Sequence, residues 1–155
     1  MKIEGLDRIL GAHRLFRDLD ADFIALVAGC AANRVFAPAT RLARQGEAMD
    51  RIYLIRAGHV AMEFHAAGRG RLRVQTVGPD EVLGLSWLVP PCKWATDAQT
   101  LDEVRAIEID ADCLRRKCEA DPAVGYAVLK RFMTPIVERL HAARLQMLDV
   151  YGSAR

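Results

Sequence analysis

The chain has four cysteines, Cys30, Cys92, Cys113 and Cys118, and no two of them are spaced as CxxC. That leaves no zinc-type ligand pair and no thioredoxin-type motif. They read as four free thiols, mostly buried, because unpaired cysteine behaves as a small hydrophobe. Long apolar runs are also missing. The longest, roughly Phe23 to Ala32, falls far short of the ~20 residues that cross a bilayer. The N-terminal MKIEGLDRIL holds no apolar signal-peptide core. Charge of one sign is scarce. Twenty-two basic against 20 acidic residues leave a formal net charge of +2, too little to hold nucleic acid or a membrane by charge alone. His13, His59, His65 and His141 sit on separate segments, so no metal or haem ligand set appears. Paired carboxylates and a nucleophile elbow are absent too, so no enzyme is expected. These absences lead to a soluble, cytoplasmic, non-enzymatic protein without a metal site.

What is present is a globular composition. Of the 155 residues, 52% are hydrophobic and 27% charged, which suits one domain with a real core spanning residues 1–155. Asp20 to Asn33 reads as a helix: Asp20 and Asp22 suit its start, and Phe23, Leu26, Val27, Cys30 and Ala31 recur at helical spacing. The period then changes to two. "RIYLIRAGHVAMEF" holds two strands broken at Ala57-Gly58, with Val60, Met62 and Phe64 facing one way. "LRVQTV" puts Leu72, Val74 and Thr76 on one face, and "EVRAIEI" is a further strand. Short strands with frequent turns predict a small sandwich or barrel.

Beyond Asp110 the pattern is helical. Asp121-Pro122 supplies a cap and a proline at the first helical position. The final helix carries Leu129, Met133, Ile136, Leu140, Ala143, Met147 and Val150 at alternating steps of four and three, a heptad seam that predicts pairing with a second copy. Pro135 lies inside the seam and predicts a kink or the end of a first segment. Arg115, Arg116, Lys117, Lys130 and Arg131 read as a solvated helix face.

"RQGEAMDRIYLIRAGHVAMEF", with Gly46 and Gly58 at two turns, resembles the cyclic nucleotide-binding domain of the catabolite-activator and Fnr regulators. The likeness runs from about Leu15 to Val150. It implies a mostly β protein: a double-stranded, jelly-roll-like β-roll at about residues 36–110, N-terminal helices at about 5–35, and C-terminal helices at about 111–151, the last of them long. In that family a loop after the sixth strand binds the cyclic phosphate, with the pattern Gly-Glu, a short helical turn, then Arg-(Ser/Ala)-Ala-(Thr). Here the loop is "GLSWLVPPCKWATDA". Gly84, Ala95 and Thr96 match, while Leu85 replaces the glutamate, Lys93 the arginine and Trp94 a small residue. Lysine keeps the charge but loses the planar fork. Leucine removes an anionic acceptor.

The resemblance implies a small-ligand sensor of cAMP or cGMP. The ligand would touch Gly84, Leu85, Ser86, Lys93, Trp94, Ala95 and Thr96, with Arg139 and His141 as lid or base contacts. The signal would pass through the last helix to a homodimer mate or another protein. The alternative is a ligand-free dimerisation or docking module whose pocket is filled by Leu85, Trp87 and Trp94. Cys92, beside Lys93, is a further candidate, for redox sensing. An Fnr-like iron–sulfur cluster would need clustered N-terminal cysteines, which the chain does not have. "MLDVYGSAR" resembles the family's hinge into a DNA-binding domain, and no recognition helix occurs in these residues, so no sequence-specific DNA binding is expected of them.

Overall fold

A computed structural model describes residues 5–152 of the chain. The last three residues of the hinge-like segment and the first four of the chain lie outside the described residues. Two short helices, α1 (Leu6–Ala12) and α2 (Ala21–Ala28), come first. Asp20 caps α2 by accepting the Phe23 N–H at 2.8 Å. Eight strands follow: β1 (Ala31–Phe36), β2 (Arg41–Ala43), β3 (Arg51–Ala57), β4 (Val60–Ala66), β5 (Gly70–Val77), β6 (Val82–Leu83), β7 (Asp97–Thr100) and β8 (Val104–Asp110). Helices α3 (Ala111–Ala120) and α4 (Pro122–Gly152) complete the chain.

The strands form two four-stranded antiparallel sheets, in the orders β1-β8-β3-β6 and β2-β7-β4-β5. That interleaving is the jelly-roll order, so the expected β-roll with a long final helix is the observed architecture. Its core sits between the sheets and under the helices, where Ile52, Leu54, Ile55, Leu83, Ile107 and Ile109 are fully buried. Gly58 makes the β3–β4 turn. Its φ is +85°, and a Cβ there would lie 2.2 Å from the Glu103 carbonyl oxygen, so only glycine fits without displacement.

Several expectations need correction. The first long helix stops at Ala28, not Asn33, and the roll begins at Ala31 rather than near residue 36. Pairing of Ala31 with Ile109 across β1 and β8 outweighs the helical spacing of Cys30 and Ala31. The cysteines are not all free thiols: Cys30 and Cys113 form a disulfide, S–S 2.07 Å, while Cys92 and Cys118 are free. The shared face of Leu72 and Val74 is exposed, on β5, the edge strand of its sheet. The basic residues of α3 and α4 are not simply a solvated face. Lys117 donates to the Leu26 carbonyl at 2.6 Å, Arg131 to that of Arg17 at 2.9 Å, and Arg115 to that of Trp87. These bonds tie the C-terminal helices to the N-terminal ones and to the loop after β6.

Helix α4 continues through Pro135 without ending. The turns on both sides are anchored: Phe132 is buried ahead of the proline, and Arg139 bonds the Val82 carbonyl beyond it. The buried face is Val128 and Phe132, one position away from the seam. Leu129 and Met133 are exposed, and so is every residue from Leu140 to Gly152.

Candidate ligand-binding site

The loop from Gly84 to Thr96 leaves β6 and returns into β7. Gly84 turns it with a φ of +101°, and a Cβ at Gly84 would lie 3.2 Å from the Trp94 ring. Two turns follow, with the Val89 N–H on the Ser86 carbonyl at 3.1 Å and the Cys92 N–H on the Val89 carbonyl at 3.0 Å. No helix forms there, and the Pro90-Pro91 peptide is cis. The return limb is stitched to the segment before β3. Met49 N–H meets the Cys92 carbonyl at 2.7 Å, Trp94 N–H the Glu47 carbonyl at 2.9 Å, and Gly46 N–H the Trp94 carbonyl at 2.8 Å. The two turn regions carrying Gly46 and Gly84 therefore form one frame.

Beneath α4 this frame encloses a cavity of about 400 Å³. Gly84, Leu85, Ser86, Trp94, Ala95 and Thr96 line it from the loop, so six of the seven expected loop positions come together. Lys93 is the exception. It is exposed, and its main chain pairs with Ala48 in an isolated bridge. Arg139 and Ile136 close the cavity from α4, while His141 is exposed and takes no part. Met49, Met62 and Val89 complete the wall and were not foreseen. Met62 was legible as one face of β4, and Ile136 as part of the seam. Neither signal says what the face covers.

The polar groups here are few. The Thr96 hydroxyl is buried and has no hydrogen-bond partner. The Ser86 hydroxyl meets only the Met49 sulfur, at 4.0 Å. Arg139 donates to the Val82 carbonyl, and burial holds its pKa below the ordinary arginine value, with Glu81 opposing. Asp97 does not add its charge to the cavity. The Gln45 N–H at 2.8 Å, and Arg41 at 2.9 Å, hold its carboxyl below the usual range. Of the two tryptophans, Trp94 lines the cavity and Trp87 does not. Trp87 is 1% exposed and meets Phe132 of α4 edge-on at 5.3 Å. Phe132 in turn meets Phe16 at 6.2 Å, so an aromatic chain joins the loop, α4 and the N-terminal segment. Among the described residues, no group of three or more His, Cys, Asp or Glu is arranged to hold a metal ion.

A family model described as the cyclic nucleotide-binding domain matches residues 33–121, more than half of the chain. The chain belongs to the cyclic nucleotide-binding domain family. This domain is 28% identical over 126 residues to the CRP-like cAMP-activated global transcriptional regulator of Mycobacterium tuberculosis. The match covers 81% of the chain and spans 56% of that regulator's length. Its fold is similar to a cyclic nucleotide-binding domain from Methylobacillus flagellatus, with a TM-score of 0.77, 17% identity, and coverage of 94% of this chain and 82% of that one. It is also similar to the regulatory domain of Toxoplasma gondii PKA, crystallised with cAMP, with a TM-score of 0.62 and 23% identity. That likeness covers 73% of this domain and 43% of the other chain. No helix among the described residues is long and apolar enough to cross a membrane.

Proposed function

We propose that this domain is a small-ligand sensor that takes a cyclic nucleotide, cAMP or cGMP, into the cavity beneath α4. The observation that carries the reading is the Thr96 hydroxyl. It is buried, it has no partner within the protein, and it belongs to a residue of the cavity wall. An unmade buried hydrogen bond costs roughly 1–3 kcal/mol, which a ligand oxygen would recover. The name of the mycobacterial relative, cAMP-activated, supports the choice of nucleotide. Binding would be reported through α4, since Ile136 and Arg139 lie on the cavity and Phe132 on Trp87. A change of helix packing is then a shift between two arrangements of the same contacts. The exposed seam, with Leu140 at 52% and Met147 at 57% exposure, supports passing that shift to a homodimer mate.

The test is the melting temperature with rising cAMP and, separately, cGMP. At about 100 times Kd a ligand stabilises by roughly 2.7 kcal/mol, several degrees for a chain of this size. The expected result is a saturable rise that Thr96→Val weakens several-fold in affinity while leaving the ligand-free protein at least as stable as before. No rise with either nucleotide up to about 1 mM rejects the reading. The alternative then gains, a ligand-free dimerisation or docking module. Its support is Trp94, which is 5% exposed and stacked over Gly84 in the position of a small family residue.

A further inference from the structure

The cavity wall contains one charged residue, and it comes from the lid helix rather than from the loop. Lys93, at the position where the family pattern has its arginine, is exposed and outside the wall. Its main chain is held in the bridge to Ala48, and the cavity wall begins one residue later, at Trp94. Arg139 is partly buried, lines the cavity, and makes its one hydrogen bond to a neutral carbonyl, that of Val82. A guanidinium has five N–H donors, so most of its donor capacity is unused by the protein. Glu81 offsets the desolvation of this cation only in part, because burial still dominates, and an anion in the cavity offsets more of it.

We propose that Arg139, not Lys93, holds the anionic group of the ligand, and that the site selects a compact anion on an apolar body without reading the sugar hydroxyls. This rests on the reading of the cavity as a ligand site. Three further observations fit it. Thr96, whose buried hydroxyl has no partner, belongs to the same cavity wall. No carboxylate lines the wall, so nothing charged is available to accept a hydrogen bond from a sugar hydroxyl. Apart from Ser86, the rest of the wall is apolar, with Met49, Met62, Leu85, Val89, Trp94 and Ile136 among it. The consequence is mechanical. The charge that grips the ligand is part of α4, so neutralising it pulls on the lid directly, in competition with the Val82 carbonyl.

Titration calorimetry with cAMP and with 2′-deoxy-cAMP tests this. Arg139→Gln is expected to weaken cAMP binding by about 10- to 150-fold, the range for a lost hydrogen bond to a charged group. Arg139→Lys should recover part of the loss, and Lys93→Ala should change affinity by less than about threefold. The deoxy analogue should bind wild type within about threefold of cAMP. Circular dichroism melts of the ligand-free variants separate lost binding from lost folding. Wild-type binding that survives in Arg139→Gln but fails in Lys93→Ala overturns the inference while leaving the cavity reading intact. A deoxy analogue bound more than tenfold weaker overturns the statement about the sugar. Absence of binding by wild type itself overturns both the inference and the cavity reading.

Discussion

The two halves of α4 have the same apolar spacing and opposite surroundings. From Pro122 to Arg139 the helix lies on the roll: Val128 and Phe132 are buried, and Ile136 and Arg139 close the cavity. From Leu140 to Gly152 every residue is exposed, including Leu145, Met147 and Leu148. A regular heptad pattern therefore does not by itself show which side of a helix its own domain covers. The buried stripe is displaced one position from the seam, because Phe132 has Trp87 and Phe16 to meet and Met133 does not. The first half lines the cavity, and the second half leaves its apolar residues exposed.

This contrast can be broken most sharply at Phe132. Phe132→Ala should cost about 3–5 kcal/mol, the range for emptying a buried aromatic site. Urea unfolding measures it, and a loss below about 1 kcal/mol would mean that the aromatic chain does not anchor the helix. Next in size is the disulfide. It joins the end of α2 to the first turn of α3, the helix on which α4 packs, across a separation of 83 residues. Cys30→Ser, or reduction, should cost about 2–4 kcal/mol. Equal urea midpoints with and without dithiothreitol would remove the tether from the account. The bond also bears on location. Disulfides are rare in reducing cytoplasm, so the expectation of a cytoplasmic protein implies reduced thiols in cells, which alkylation of lysates can count.

A smaller effect comes from His13, beside the Phe16 segment that meets α4. Burial holds its imidazole below the ordinary pKa of 6.5, with Asp80 opposing and Arg17 assisting. The unfolded chain therefore binds the proton first as pH falls. Its contribution to stability is complete above about pH 6.5 and is lost on acidification toward the folded-state value. Melting temperature should fall between pH 7 and pH 5.5, and more gently in His13→Asn. Equal slopes would assign the acid response to other groups. The smallest effect on folding belongs to the second half of α4. Leu140→Ala and Met147→Ala should change stability by no more than about 0.5 kcal/mol, as at exposed positions generally, yet weaken self-association in sedimentation experiments. A large loss of monomer stability would show that the outer face is packed after all.

Local chemistry was the legible part. Gly58 and Gly84 announce turns because a side chain costs strain at positive φ, and Asp20 announces a helix start because its carboxylate can take the Phe23 N–H. The strands β3, β4 and β8 were readable for the same reason, each signal lying within a few residues. The end of α2 was not. Helical spacing ran on through Cys30 and Ala31, and only pairing with β8, about 80 residues away, turned that segment into a strand.

The amino-acid order alone therefore determined the roll, the loop that frames the cavity, the long final helix, and the loss of the glutamate and arginine from the loop. It also placed a lysine where the family has its cation. Tertiary structure decided that this lysine is exposed, that Arg139 is the charged residue of the cavity wall, that Cys30 meets Cys113, and that every residue of the apolar seam except Ile136 is exposed. Each of these depends on which way a side chain points after distant segments have packed. Spacing along the chain carries that information only as far as one element extends.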